Sequence, residues 1–378
     1  MIDGLSQLEM NWRSALLAVL MLCTLVSVIY LVRRDVERRA ALWMVLFVVA
    51  ACLSAVPLMI GFAGAYRIWP GLTFLPTQTA LLFGPAILLH SQMLMLKNPS
   101  PRCLWLLTPG LVYLLYQVWA FAFLGDYKAK WAFNDAWHEP YIFPTAMIGA
   151  WALMAVCFGL IWRLRGRYMQ WLEDNHSDGD RFNPVWLSHS IILASIAGIL
   201  WALEVIFEQW VGHSYGDVFL WNVSALLAVF IITLEALTGI TQPFPKMGDE
   251  AEREAAEPKE PGSRDWVLEG TRLKAAVLEN NWHLDAGLTL HVLARRFGMN
   301  QLYLSRAINQ GLGENFSTFI NGLRIEHAKR LIREADGGRS IMDIALASGF
   351  GSKASFNRAF RHHTGSSPTA FRDENART

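Results

Sequence analysis

The chain has 378 residues, of which 53% are apolar, 17% are charged and sixteen are Trp, with a formal net charge of +1. Soluble domains carry about 25% charged residues, so a single soluble globular enzyme, a disordered chain and a secreted disulfide scaffold are excluded. The near-neutral sum hides an uneven distribution. Residues 1–244 hold 14 Lys/Arg and 15 Asp/Glu, residues 245–263 hold 3 and 6, and residues 264–378 hold 16 and 11. An apolar two-thirds is followed by a short acidic stretch and then by a basic soluble domain.

A helix needs about 20 mostly apolar residues to cross the hydrocarbon core. Seven stretches meet that length: Ser14–Val32, Ala40–Phe62, Leu72–Leu96, Cys103–Leu124, Phe143–Trp162, Trp186–Val211 and Val218–Ile240. The third is interrupted by Pro76, Gln78, Pro85 and His90. Orientation follows from Lys and Arg in the short loops. Arg33, Arg34, Arg38, Arg39, Lys97, Arg102, Arg163, Arg165, Arg167 and Arg181 fall on one side, against Arg13, Arg67, Lys128 and Lys130 on the other. The richer side is expected in the cytoplasm, which places the N-terminus outside and, after seven spans, the C-terminus inside. Cys23, Cys52, Cys103 and Cys157 all lie in or at the ends of spans and have no metal-ligand spacing, so they read as small packing residues.

Polar groups inside spans are costly and mark candidate sites. Gln78, Gln117, Glu204, Glu208 and Asn222 lie at similar depth near the outer boundary, with Tyr113, Tyr116 and Trp201 close in register. They form a candidate pocket for a small-molecule or envelope signal, and interhelical hydrogen bonding is the competing reading. His90, His189 and Glu235 lie toward the cytoplasmic side, with relay and packing both open. Asp135, His138 and Glu139 sit in an outer loop too unspecific in spacing for a metal site. The chain contains no HExxH, GxSxG or Walker lysine motif, and neither catalysis nor a cofactor is expected.

Pro243 and Pro245 prevent the last span from continuing as a helix. Residues 248–262 then read GDEAEREAAEPKEPG, a composition with nothing to bury. Residues 241–263 are expected to form an acidic flexible linker of roughly 25–30 Å average span, between a membrane domain at 1–240 and a basic domain at 264–378.

The basic segment contains an internal repeat. Thr289, Leu293, Ala294 and Gly298 recur 51 positions later as Ser340, Ile344, Ala345 and Gly349. Leu304, Arg306 and Ile308 recur 52 positions later as Phe356, Arg358 and Phe360. Each copy reads as a helix-turn-helix. Thr289 and Ser340 cap a first helix, Gly298 and Gly349 end it, and Asn300 and Ser352 cap a second. Leu304 with Ile308, and Phe356 with Phe360, face inward at i and i+4. Phe316–Glu334 is amphipathic throughout and reads as a helix holding the two units in register. Arg324 would brace that helix, and Phe350 would be core.

From Arg272 to Arg372 the sequence resembles the DNA-binding domain of the AraC/XylS family of bacterial transcription activators. The resemblance runs through Leu293, Ala294, Gly298, Leu304, Arg306, Gly313, Phe316, Leu323, Ile344, Gly349, Phe350, Phe356, Arg358, Gly365 and Pro368. The apolar half is similar to a subgroup of this family with a membrane-embedded N-terminal part. Two departures stand out: Ile308 and Asn309 where the family usually has Phe and Lys, and Asn300 in place of the usual Ser cap. Capping and apolar register leave Gln301, Leu302, Ser305, Arg306 and Asn309 of the first recognition helix, and Lys353, Ala354, Ser355, Asn357, Arg358 and Arg361 of the second, pointing away from the core. The resemblance implies that Leu302, Ser305 and Arg306, and Lys353, Ala354, Ser355, Asn357 and Arg358, sit where family members read bases.

The expected fold is all-α, a seven-helix membrane bundle followed by a soluble domain with two helix-turn-helix units. The expected function is a membrane-anchored one-component transcription regulator. Its implied partners are double-stranded promoter DNA, the lipid bilayer, RNA polymerase, an unidentified signal and a second copy of the chain. The alternative is a membrane-embedded transporter or enzyme with a regulatory helix-turn-helix appendage.

Overall fold

A computed structural model of the chain describes residues 9–211, 218–248, 265–334 and 339–375. Every regular element among the described residues is helical. The chain divides into two compact units, Met1–Arg165 with Pro184–Lys246, and Gly166–Asn183 with Met247–Thr378.

In the first unit, α1 (Trp12–Arg33) starts where the Asn11 side chain accepts from the backbone N–H groups of Arg13 and Ser14. It turns sharply into α2 (Arg38–Phe62) through Asp35 and Glu37, both with positive φ. Leu17 of α1, Ala55 and Leu58 of α2, and Phe219 and Leu226 of Val218–Gly239 make one buried apolar cluster.

The third apolar stretch is not one continuous span. Pro70–Phe74 and Ala80–Leu82 make short 3₁₀ turns, and only Phe83–Met95 (α3) is α-helical. Pro76 lacks a backbone donor and forces Leu75 into an extended conformation with ψ of 139°. The freed polar groups need partners in an apolar setting. Gln117 supplies two of them, its Oε1 accepting from Gln78 N at 3.0 Å and its Nε2 donating to Gln78 O at 2.9 Å. Gln117 lies in α4 (Thr108–Phe123), which follows a 3₁₀ turn from Pro101 to Leu107.

Helical structure then continues from Tyr127 to Asn175, with a π-helical stretch at Asn134–Ile142 around Pro140. Its last part, α5 (Phe143–Asn175), has 33 residues, about 50 Å of helix against roughly 30 Å of hydrocarbon. The expected end at Trp162 is therefore too early. Tyr168 and Leu172 are fully buried at an i, i+4 spacing, an apolar stripe that carries the helix past its arginines. α6 (Val185–Val211) and α7 (Val218–Gly239) follow. Five helices among the described residues are long and apolar enough to cross a membrane: Trp12–Arg33, Arg38–Phe62, Pro101–Phe123, Tyr127–Asn175 and Val218–Gly239. Ala80–Met95 and Val185–Leu200 are shorter apolar helices.

The acidic linker does not begin at Thr241. Phe244 is buried and its N–H donates to Glu37 Oε1 at 2.9 Å. Lys246 Nζ reaches Glu37 Oε2 at 2.5 Å and the carbonyls of Met93 and Leu94 at 2.8 Å each. A cation that satisfies a carboxylate and two helix-end carbonyls pins these residues. Residues 249–264 lie outside the described part.

The second unit contains α8 (Trp266–Glu279), α9 (Leu290–Phe297), α10 (Gln301–Gly311), α11 (Phe316–Glu334), α12 (Ile341–Ala347), α13 (Lys353–Thr364) and α14 (Pro368–Asn375). It has two apolar cores. Leu293, Leu304, Ile308, Phe316, Phe319 and Ile320 belong to the first. Ile325, Ala328, Ile344, Phe350, Phe356 and Phe360 belong to the second. α11 spans both, because its apolar positions before Arg324 face one core and those after it face the other.

Candidate nucleic-acid interface

The two helix-turn-helix units share one local logic. Thr289 Oγ1 accepts from Val292 N at 3.2 Å, and Ser340 Oγ from Asp343 N at 3.1 Å. Asn300 Oδ1 accepts from Leu302 N at 2.8 Å, and Ser352 Oγ from Ser355 N at 3.1 Å. Each cap satisfies a backbone donor that the first helical turn leaves free. Between the helices, Gly298 and Gly349 have φ of +64° and +84°. Gly349 is required twice over, since a Cβ there would stand 2.7 Å from Leu284 O.

Burying Leu304, Ala307 and Ile308 on α10, and Phe356 and Phe360 on α13, fixes which faces remain outside the cores. Lys353, Ala354 and Arg358 are exposed. Gln301, Leu302, Ser305, Arg306 and Asn357 are half-buried. Ser355 departs from expectation. It is buried, with 7% exposure, because Asp178 covers it and its hydroxyl donates to Asp178 Oδ1 at 2.5 Å. Gln301 is also engaged, its Nε2 donating to Asn175 Oδ1 at 2.7 Å.

Arg324 sits at the junction of the two cores and is fully buried. Its guanidinium donates to His283 O and Asp285 O at 2.7 Å each, to Ser177 Oγ at 3.0 Å and to Asn321 Oδ1 at 3.2 Å. Its charge lies 5.5 Å from the Phe350 ring centroid. Burial pushes its pKa down to about 10, against the pull of Asp178 and Asp285, so it remains a cation at neutral pH. Arg324 is thus the brace that its position on α11 suggested.

Among the candidate sensing residues, Gln78 and Gln117 are brought together, and Tyr113 donates its hydroxyl to Gln78 Oε1. Gln117 and Tyr113 are buried. Asn222 does not join them through its amide, which donates to Val218 O one turn back on its own helix at 3.0 Å. The Glu204, Glu208 and Trp201 side chains lie outside the described residues. His138 Nδ1 is 2.9 Å from Tyr116 Oη, with the two rings stacked, and no metal-ligating cluster occurs among the described residues. His90 is buried with Nδ1 2.8 Å from Ala40 O, and His189 Nδ1 lies 3.2 Å from Glu235 Oε1.

A family model described as a helix-turn-helix domain matches residues 293–374. An HTH-type transcriptional regulator of Staphylococcus aureus strain MSSA476 is 39% identical over 92 residues, which are 24% of this chain and 12% of that protein. A Proteus vulgaris protein named as the probable transcription factor PqrA is 30% identical over 96 residues, 25% of this chain and 77% of its own length. The chain belongs to the AraC-type helix-turn-helix transcription regulators. A solved structure of a protein of unknown function from Listeria innocua is 27% identical and covers 28% of this chain and 94% of its own, with a TM-score of 0.25. Since the chain spans only 12% of the Staphylococcus relatives' length, family membership here speaks for the helix-turn-helix domain.

For an AraC-type regulator, the notable residues that sequence reasoning passed over are Asn175, Ser177 and Asp178. The run from Glu173 to Gly179 has the composition of an ordinary solvated turn. Asn175, Ser177 and Asp178 nevertheless bond residues more than 100 positions away, and no local pattern announces those partners.

Proposed function

We propose that this chain is a membrane-anchored, one-component transcription regulator. Residues 1–240 would cross the bacterial inner membrane seven times with the N-terminus outside. Residues 264–378 would stand in the cytoplasm and bind promoter DNA directly. The observation that carries this reading is one chain joining several helices of membrane-crossing length to a domain with two helix-turn-helix units. RNA polymerase and a second copy of the chain are the partners expected at the promoter.

Gln301, Leu302, Ser305 and Arg306 on α10, and Lys353, Ala354, Ser355, Asn357 and Arg358 on α13, would face the DNA. Recognition helices enter the major groove with their N-terminal residues, and all nine positions lie within the first six residues of α10 or α13. Arg306 and Arg358, equivalent in the repeat, suit bidentate contacts to guanine, each worth about 1–3 kcal/mol of discrimination. Two helices braced by one rod suit successive major grooves about 34 Å apart. Gln78, Gln117, Glu204, Glu208 and Asn222 remain the proposed sensing residues of the membrane half.

Genome-wide DNA crosslinking of the intact protein tests the core of this reading, and recovery of discrete promoters is the expected result. Recovery no better than from cells lacking the protein would refute it. A periplasm-active reporter fused after Ile240 should stay silent, and strong activity there would overturn the seven-span topology.

A further inference from the structure

The turn between α5 and α6 is joined to both helix-turn-helix units. Ser177 Oγ donates to Leu288 O at 2.7 Å, immediately before the Thr289 cap of α9. Its backbone carbonyl accepts from Asn321 Nδ2 at 3.0 Å, and its hydroxyl oxygen accepts from Arg324 on α11. Asn175 accepts from Gln301, the first residue of α10, and Asp178 accepts from Ser355, the third residue of α13. A Cβ at Gly351, just before the α13 cap, would come within 3.1 Å of Asp178 Oδ2. The end of α5 and the turn that follows it, Asn175 to Asp178, therefore reach the N-terminal ends of both recognition helices.

We propose that the segment Gly166–Asn183 and DNA compete for the same surface, so that the chain covers its own reading face until this segment is withdrawn. The inference rests on the proposed reading of DNA by α10 and α13. Geometry supports the competition, because Gln301 and Ser355 belong to the proposed reading set and both are committed to the turn. Charge supports it as well. The segment carries Glu173, Asp174, Asp178 and Asp180 against Arg167 and Arg181, and it presents an Asp178 carboxylate at a helix start where phosphate oxygens would be received. Such a carboxylate repels an incoming phosphate and must leave before the groove can close on α13. Because the segment connects α5 to α6 along the chain, any rearrangement of those two helices has a covalent route to the reading face.

The test uses the full-length chain in lipid nanodiscs and a duplex obtained by binding-site selection on that same preparation. Asp178→Ala is expected to tighten binding about tenfold, the worth of one charge-assisted hydrogen bond. Asn175→Ala is expected to tighten it less. Amide exchange at residues 175–179 of the unaltered chain should rise when duplex is added, a readout that does not depend on any variant folding. Arg306→Ala and Arg358→Ala in the same assay should lose sequence preference. If the arginine variants lose preference while residues 175–179 stay protected and Asp178→Ala binds no tighter, the competition is wrong and the reading of DNA survives. If the arginine variants bind and discriminate as the unaltered chain does, both are overturned.

Discussion

Replacing Arg324 with Met should unlock the domain at its centre. The guanidinium makes four hydrogen bonds, two of them to carbonyls at 2.7 Å, with none of the side chain exposed. Met keeps much of the volume and the aliphatic stem but removes every donor. Deleting one partner from a buried, charge-bearing network costs about 3–5 kcal/mol, because the acceptors are left desolvated and unpaired. That is a large share of the roughly 5–15 kcal/mol available to a domain. Lys should recover part of the loss, since it keeps the charge but not the fork that serves His283, Asp285 and Ser177 together. The assay is native-state amide exchange on the full-length chain, following α11 amides on both sides of position 324. The expected result is lost protection at Phe319–Leu323 and at Ile325–Ala328 alike. A loss under about 1 kcal/mol, the worth of one ordinary hydrogen bond, or a loss confined to one core, would refute the assignment of Arg324 as the junction brace.

Three further outcomes follow from the same geometry. Gly349→Ala should cost more than Gly298→Ala: both meet a left-handed penalty of about 1–2 kcal/mol, but only position 349 also drives a Cβ against Leu284 O. Equal losses in protection of the two cores would contradict this. Gln117→Leu should destabilise the apolar N-terminal unit by about 2 kcal/mol by orphaning both backbone groups of Gln78, and an unchanged melting temperature in detergent would show that these groups find other partners. His176, His283, His327 and His363 all have pKa values held below the usual 6.5 by burial. The unfolded chain therefore binds more protons, so stability should be full above about pH 6.5 and fall as the pH drops toward the lowered values. Protection of residues 265–375 that is equal at pH 7.5 and pH 5.5 would exclude that linkage.

What could be read from the sequence was set by chemistry acting within a few residues. Thr289, Asn300, Ser340 and Ser352 cap helices because their side-chain oxygens reach donors two or three positions on. Phe316–Glu334 has the expected limits because its apolar period is unbroken along the whole helix. The break before α3 was half visible in Pro76, but the repair by Gln117 joins residues 39 apart, a distance over which periodicity carries no information. The early pinning of the acidic stretch was hidden for the same reason, because Glu37 lies 209 residues from Lys246. At the proposed reading face, apolar spacing correctly marked Phe356 and Phe360 as buried but assigned Ser355 to the open side. Nothing in α13 itself indicates that a carboxylate 177 positions earlier would cover that hydroxyl.

The position of the Asn175–Asp178 turn has a thermodynamic consequence for regulation. Its bonds reach α10, α11 and α13 at once, so releasing it frees both recognition helices in one step instead of two. A contact worth about 2.7 kcal/mol would hold the face covered in about 99 chains of 100. One charge-assisted bond to Asp178 and one ordinary bond to Asn175 together reach that order. To reverse the ratio fully, whatever releases the turn must favour the released arrangement by about 5.5 kcal/mol. On the proposed reading by Arg306 and Arg358, DNA itself would supply part of that, because two guanine contacts at about 1–3 kcal/mol each would become available only after release. A promoter with both determinants should therefore displace the turn with a weaker signal than a promoter with one. Exchange at residues 175–179, measured against a two-determinant duplex and a duplex with either half scrambled, would read that difference directly. Equal exchange with all three duplexes would mean that the turn opens without regard to what the recognition helices bind.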